Sequence, residues 1–168
     1  MRAPFTILFL CLAAPVAAGE EAFKAGAAIP AYGKIADVPG AAPIPADAAF
    51  KIRFDLAKPA DEGEINRNLD SAARFINMHA AAGVPLEKIN LAMVIHGGAV
   101  KNMTRTDEKN AGLIKALSEK GVKFFVCGQS AAWYGVKAED LTPGVEMSLS
   151  AMTAHSLLDA KGYSLNPF

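Results

Sequence analysis

The chain has 168 residues, of which 52% are hydrophobic and 20% are charged, and this composition is typical of one globular domain. Its 17 basic and 17 acidic residues cancel, so there is no excess positive charge with which to bind a nucleic-acid backbone or an anionic membrane surface. Two cysteines are too few for a small fold held together by disulfides.

The first 18 residues have the pattern of a secretory signal peptide. Arg2 precedes an apolar run over residues 5–14, which is shorter than the roughly 20 residues that a membrane-spanning helix needs. Val16 and Ala18 are small residues at the positions that signal peptidase recognises, so cleavage is predicted after Ala18. The alternative is an ordinary apolar tail. The interpretation predicts a periplasmic protein with no membrane anchor after cleavage.

Cleavage at this point would leave one cysteine in the mature chain. Cys11 lies in the apolar run between Leu10 and Leu12, and these bulky neighbours argue against lipidation. Cys127 then has no partner for an intrachain disulfide. An unpaired cysteine in an exported protein indicates an intermolecular disulfide or a reactive thiol, and an inert buried cysteine is the alternative.

Residues 19–48 are rich in Ala, Pro and Gly and have neither helical nor strand periodicity, because prolines fix φ and remove hydrogen-bond donors. We predict an extended arm, which either packs on the domain or is a disordered tether. The apolar side chains available for packing are Phe23, Ile29, Tyr32 and Ile35.

Residues 49–168 alternate between strand and helix patterns and form the predicted domain. Apolar and charged residues alternate over 50–55, which predicts a strand exposed on one face. Helical spacing over 64–82 predicts an amphipathic helix that ends at Gly83. An unbroken apolar run at 91–95 predicts a second strand, over 89–96, that is buried on both faces. A polar loop over 101–109 and a helix ending near Gly121 follow.

The second half of the domain repeats this alternation. A third strand is predicted over 122–127, a short helix over 130–134, and a fourth strand over 145–149. Ser150 is predicted to cap a last helix that ends at Gly162. Such repeated units form right-handed crossovers and a parallel sheet. The predicted fold is therefore α/β: a three-layer sandwich with a mainly parallel sheet, flavodoxin-like or Rossmann-like, preceded by the extended arm.

Three polar or reactive residues, His96, Cys127 and Ser150, are predicted at one edge of the sheet, because the carboxyl ends of parallel strands share an edge where ligands bind. Cys127 ends a strand and Gly128 follows it, so the sulfur is predicted at the start of the next helix. Free amides and the positive end of a helix dipole lower the pKa of a thiol. The resulting thiolate is the form that attacks sulfur.

Four residues are candidates for roles around this thiol. Gln129 and Ser130 are predicted either to donate hydrogen bonds to a bound oxyanion or persulfide, or only to cap the helix. Trp133 is predicted either to cover the site or to pack in the core. His96 is predicted to be a general acid or base, or else a hydrogen-bonded histidine of the sheet edge.

Motifs of other chemistries are missing from the sequence. Residues 128–132 resemble the nucleophile elbow Gly-x-Ser-x-Gly of serine hydrolases. The last position of that motif must be glycine, and here it is Ala132. No dinucleotide or phosphate-binding motif continues from Gly97-Gly98. The three histidines, His79, His96 and His155, are widely separated and have no closely spaced ligand pair. We therefore expect neither a metal nor a cofactor.

Several segments together resemble the DsrE/DsrF-like family, and in particular its exported branch. They cover nearly the whole mature chain and comprise residues 32–34, 94–98, 124–130, 143–145, 149–153 and 162–167. The resemblance implies a small α/β domain that forms homo- or hetero-oligomers, often trimer-based. It also implies that Cys127 holds sulfane sulfur as a persulfide. The predicted export signal distinguishes this chain from the family members that serve sulfur oxidation or transfer-RNA thiolation inside the cell.

The leading hypothesis is a periplasmic sulfur carrier or sulfurtransferase in which Cys127 takes sulfur from a sulfane-sulfur donor and passes it to a thiol acceptor. The expected assembly is a homo-oligomer. One alternative is a non-enzymatic oligomeric binding module in which Cys127 is structural. Another is a redox sensor whose thiol forms a mixed disulfide.

Overall fold

The structure, a computed structural model, describes residues 18–166, so the predicted signal peptide and Cys11 lie outside the described residues. The strands are β1 (Phe23–Lys24), β2 (Ile35–Ala36), β3 (Phe50–Leu56), β4 (Ile89–Ile95), β5 (Lys123–Cys127), β6 (Val145–Ser148) and β7 (Ser164–Asn166). The α-helices are α1 (Arg67–Ala81), α2 (Glu108–Ser118), α3 (Gly128–Tyr134) and α4 (Ala151–Ala160).

The main sheet has five parallel strands in the order β6-β5-β4-β3-β7. The chain crosses the sheet in one direction from β3 to β6, and α4 then returns it to β7 at the opposite edge. Right-handed crossovers place helices on opposite faces when the direction reverses. Accordingly, α1 and α2 pack on one face and α4 on the other. The predicted three-layer α/β sandwich with a parallel sheet is confirmed.

The centre of the core is β4, whose side chains alternate between the two faces. Leu91 and Met93 pack with α1 and α2, while Ala92 and Val94 pack with α4. All four are at most 1% exposed. The unbroken apolar run therefore does form a strand covered on both sides, as predicted.

Two elements differ from the predictions. The four predicted strands are present, but the three residues of β7 pair with β3 as a fifth that was not predicted, because Ser-Leu-Asn is too short to show a strand pattern. The polar loop predicted over 101–109 begins inside a 3-10 helix, Gly97–Met103. Val100 and Met103 of this helix are fully buried, so the segment contributes to the core.

A cluster of buried asparagines fixes the loops at the carboxyl edge of the sheet. Asn66, Asn102 and Asn110 are each at most 8% exposed. The Nδ2 groups of Asn102 and Asn110 each donate to Asp107 Oδ2 at 2.9 Å, and Asn66 N donates to Asn110 Oδ1 at 2.9 Å. Because buried amides need partners, the cluster holds the starts of α1 and α2 against the 3-10 helix.

The arm is ordered and packs on α1, so the disordered-tether alternative is wrong. Asn77 of α1 is 1% exposed and binds the arm on both sides. Its Oδ1 accepts from Ile29 N at 2.9 Å, and its Nδ2 donates to the carbonyls of Ile29, Tyr32 and Gly33 at 2.9–3.1 Å. One buried side chain thus provides the hydrogen bonds that the proline-rich arm cannot form internally.

Two of the apolar residues predicted to pack the arm are buried, Ile29 at 3% exposure and Ile35 at 4%. Phe23 is 41% exposed, but its ring contacts the Arg74 guanidinium of α1, 5.6 Å from the ring centroid. Tyr32 is partly buried against the core, so all four residues pack on the domain as predicted. Gly33 has φ +62°, and a side chain there would overlap the backbone of Arg74. Only glycine permits this close approach of the arm to α1.

Candidate functional site

The candidate site lies at the carboxyl ends of β5 and β6. α3 follows β5 and α4 follows β6, and these two helices lie on opposite faces of the sheet. Ala131 of α3 packs in the core beneath α1 and α2, whereas Ala154 of α4 packs in the core on the opposite face. Ligands in open α/β sheets bind in the crevice at such a switch point. Cys127 is the last residue of β5 and the N-cap of α3, which places it in this crevice.

Polar groups from both helix starts act on the pKa of the Cys127 thiol. Burial raises the pKa of the thiol, but hydrogen bonds outweigh it and lower that pKa below its ordinary value. The donors are the Ser130 hydroxyl and the amides of Ser130, Ala151 and Gln129. These four donors thus favour the thiolate, which is the reactive form of cysteine.

Ser130 connects Cys127 to the neighbouring strand end. Its Oγ accepts a hydrogen bond from Gly97 N, directly after β4, at 3.0 Å. The hydroxyl proton is therefore free to be donated to the sulfur. α3 begins at Gly128 with Cys127 as its N-cap, two residues before the predicted start. Ser130 thus does not cap the helix, and its hydroxyl belongs to the thiol environment.

Gln129 and Ser150 have different roles in the crevice. The exposed Gln129 side chain donates from Nε2 to Leu149 O at 3.3 Å, so only its main-chain amide serves the sulfur. Ser150 is the N-cap of α4, and its Oγ accepts from Thr153 N at 3.0 Å. The predicted capping role of Ser150 is confirmed, and this cap fixes the Ala151 amide that faces Cys127.

Trp133 differs from both sequence predictions. Its side chain is 83% exposed, so the prediction that it packs in the core is wrong. Because so little of the indole is covered by the rest of the chain, Trp133 does not cover the site around Cys127 either. Its position on α3 leaves it free for contacts outside the chain.

His96 is held by Asp55, a residue that the sequence analysis did not identify. His96 Nε2 lies 3.0 Å from Asp55 Oδ1, and His155 Nε2 lies 3.0 Å from the same oxygen. Burial raises the pKa of Asp55, but the hydrogen bonds and charges of the two histidines lower it overall. The separation of 41 and 100 residues along the chain hid this cluster from motif analysis.

The sequence contained weak signals for both missed residues. Asp55 is the last charged residue of the alternating β3 pattern, which places it at the sheet edge. His155 follows Ala151 by one helical turn on α4 and is therefore on the same side of that helix. Neither signal specifies a contact with His96 without the sheet order.

Cys127 is only 6% exposed, which is less open than a thiol on the crevice edge was expected to be. The covering atoms come from the close approach of α3 to the β6–α4 connection. Within residues 18–166, no group of three or more His, Cys, Asp or Glu side chains is arranged to hold a metal ion. In the same range, no helix is both long and apolar enough to cross a membrane.

Comparisons with known proteins concern the family and the fold. The model of the DsrE/DsrF-like family matches residues 51–167, a range that includes the crevice and the histidine cluster. No curated protein matches the chain. A solved structure of a protein of unknown function from Methanobacterium thermoautotrophicum superposes with a TM-score of 0.56 at 22% identity, over 70% of this chain and 97% of that chain. At this identity the likeness concerns the fold.

Proposed function

Because the chain belongs to the DsrE/DsrF-like family, whose membership suggests a function in sulfur relay, we propose that it is a sulfur carrier that holds sulfane sulfur as a persulfide on Cys127. The observation that supports this most is the lowered pKa of that thiol. Its four hydrogen-bond donors stabilise a negative sulfur without a permanent countercharge. Such a sulfur serves both as the attacking group and as the leaving group.

Loading and release are two displacements at sulfur. The Cys127 thiolate attacks one sulfur of a polysulfide, a sulfur–sulfur bond breaks, and its electron pair leaves with the shortened polysulfide. In the second step a thiolate acceptor attacks the outer persulfide sulfur, and the electron pair of the breaking bond returns to Cys127. The transferred sulfur carries no net charge, so no further oxidant or reductant is needed. In both steps the amides of Gln129 and Ala151 stabilise the charge on Cys127.

The narrow access to Cys127 favours a small donor. At 6% exposure, the sulfur admits a slim anion such as a polysulfide more readily than a bulky disulfide. The outer rim of the crevice is formed by Gln129 and Leu149. Leu149 is 73% exposed. We propose an inorganic polysulfide as the donor class and a small or protein thiol as the acceptor.

The proposal is tested by intact mass. Reduced mature protein treated with polysulfide is expected to gain the mass of one sulfur atom, and to lose it again on addition of a thiol, which acquires that sulfur. Cys127→Ser should gain nothing. A wild-type protein that stays unmodified until it is unfolded would contradict the proposal and favour an inert structural cysteine. A stable disulfide with a second protein instead of a transferable sulfur would favour a redox sensor.

We also propose that the carrier is a homo-oligomer and that the α4 face forms its subunit contact. A single helix covers this side of the sheet, and large apolar side chains on or beside it are exposed by 51–78%: Leu149, Met152, Leu157 and Leu165. Monomeric proteins rarely leave so large an apolar patch open. A second copy of the chain is the occupant we propose, because the four patch residues are uncharged and the acidic residue of α4, Asp159, is already paired with Arg53.

A charge in this patch should dissociate the oligomer. Leu157→Glu is expected to lower the molar mass measured by sedimentation equilibrium to that of one chain. Met78→Glu is the matched control, because Met78 is an exposed apolar residue, 42% accessible, on α1 at the opposite face. A wild-type protein that already sediments as a monomer would contradict the proposed assembly.

The proposed compartment is the periplasm, on the basis of the signal-peptide pattern over residues 1–18. The chain recovered from an exporting bacterial host is expected to begin at Gly19 when its N-terminus is sequenced. Recovery of the uncleaved chain from the cytosolic fraction would contradict this placement.

A further inference from the structure

The strand register places His96 and Cys127 side by side on the face that α4 covers. Ile95 of β4 pairs with Val126 of β5, so the next residue of each strand, His96 and Cys127, are neighbours at about 4.8 Å between backbones. His96 continues β4 in an extended conformation, φ −146° and ψ −174°. Its N–H donates to Leu56 O at 2.9 Å, which fixes the backbone there.

Asp55 sets the tautomer of both imidazoles beside this thiol. A carboxylate only accepts hydrogen bonds, so His96 and His155 each donate from Nε2 to the shared Oδ1 at 3.0 Å. In the neutral rings Nδ1 then carries the free lone pair. The contacts with Asp55 use Nε2 of each ring and leave Nδ1 for a second partner. The side chains are 34% and 26% exposed, so a solute can reach them.

Few other charged groups face the cluster. Arg53 of β3 lies on the same face, and its Nη1 forms an ion pair with Asp159 Oδ1 of α4 at 2.9 Å. Each of these charges is therefore paired. Further along this face, Tyr163 is buried beneath α4 with Lys51 Nζ over its ring at 5.3 Å, and Glu146 of β6 is in register with Phe125. The register places Cys127 of β5 directly beside His96.

We propose that His96 is the acid–base residue of sulfur release from Cys127, with Asp55 and His155 as its positioning residues. This inference rests on the proposed function. His96 Nδ1 takes the proton of the acceptor thiol, whose thiolate attacks the outer sulfur of the Cys127 persulfide. The sulfur–sulfur bond breaks with its electron pair on Cys127, and the proton passes from Nδ1 to the departing persulfide. The Cys127 persulfide anion and the acceptor thiol thus become the Cys127 thiolate and the protonated acceptor persulfide.

A base is required because a free cysteine thiol has a pKa near 8.5 and is mostly protonated at neutral pH. The amides around Cys127 stabilise negative charge but accept no proton. The Asp55 carboxylate, whose pKa is lowered, stays ionised through the neutral range and keeps the imidazoles oriented. The aspartate thereby positions His96 without touching the reacting atoms.

The test is single-turnover transfer from persulfide-loaded protein to N-acetylcysteine, measured as a function of pH. His96→Gln keeps a donor to Asp55 but cannot take a proton. Its transfer rate is expected to fall about 100-fold, and the pH dependence that His96 gives to the transfer rate should disappear, while polysulfide loading stays complete. Asp55→Asn should slow transfer less than His96→Gln does and keep that pH dependence, since His96 is then misoriented but present.

His79→Gln is the control, because His79 lies on α1 at the opposite face and bonds Phe75 O at 2.8 Å. It should keep the wild-type rate and profile. A His96→Gln protein that loads and transfers with the wild-type rate and pH profile would overturn this inference alone. Failure of the wild type to load sulfur would instead overturn the proposed function, so the two outcomes are distinguishable.

Discussion

Replacement of Gly128 by alanine is expected to destabilise the protein by about 2 kcal/mol and to slow reaction of Cys127 with iodoacetamide. A Cβ at this position would lie 2.8 Å from Ser148 O and 3.3 Å from Leu149 O. Both are backbone atoms, so the β6–α4 connection would have to move away from α3. That movement withdraws the Ala151 amide from the sulfur, and the thiolate loses one of its donors.

Urea unfolding and the alkylation rate at pH 7 measure the two effects of Gly128→Ala. The control is Ala132→Ser, an exposed position on the same helix, which should change stability by no more than about 0.5 kcal/mol and leave alkylation unchanged. An alanine variant that unfolds and alkylates like the wild type would show that α3 and α4 do not converge on Cys127 as described.

Ser130→Ala should slow alkylation of Cys127 at pH 7 about tenfold, because a hydrogen bond to a charged group is worth about 1.5–3 kcal/mol. The hydroxyl makes the largest contribution among the hydrogen bonds that lower the pKa of this thiol, so its loss shifts the pH dependence of alkylation to higher pH. The variant also leaves Gly97 N without its acceptor, which adds a loss of stability.

Ser148→Ala separates the two effects expected of Ser130→Ala, which are slower alkylation and lower stability. The Ser148 hydroxyl donates to Val126 O and Ser150 O, at 3.2 and 3.0 Å, and so contributes to the same edge without bonding the sulfur. Its removal should lower stability by about 1 kcal/mol with the alkylation profile unchanged. Equal profiles for the two alanine variants would mean that Ser130 acts only on the fold.

Much of the fold was predictable because the core strands have strong periodic patterns. β4 is apolar at every buried position and β3 alternates, so both followed from local sequence. β7 did not, since three residues without periodicity form a strand only because α4 delivers them beside β3. The arm was ambiguous for a similar reason: its hydrogen-bond partner, Asn77, lies on α1.

The candidate site was predictable only in part. Cys127 followed from a strand end before glycine, because chain continuity alone places its sulfur at a helix start. The contribution of Ala151 depends on α4 converging from the other face, which no local pattern specifies. Asp55 and His155 were missed because strand order and register, not spacing, bring them to His96. Trp133 was misplaced because an aromatic residue in a short helix usually packs inward.

The most direct test of the account is the pH titration of Cys127 by thiolate absorbance, comparing the native protein with the same chain unfolded in urea. We expect the native thiol to ionise at lower pH than the unfolded one, because the polar groups around it lower its pKa, so that thiolate is present in the native protein at pH values where the unfolded chain is still protonated. A native midpoint equal to or above that of the unfolded chain would contradict it, because the proposed sulfur chemistry would then lack its nucleophile.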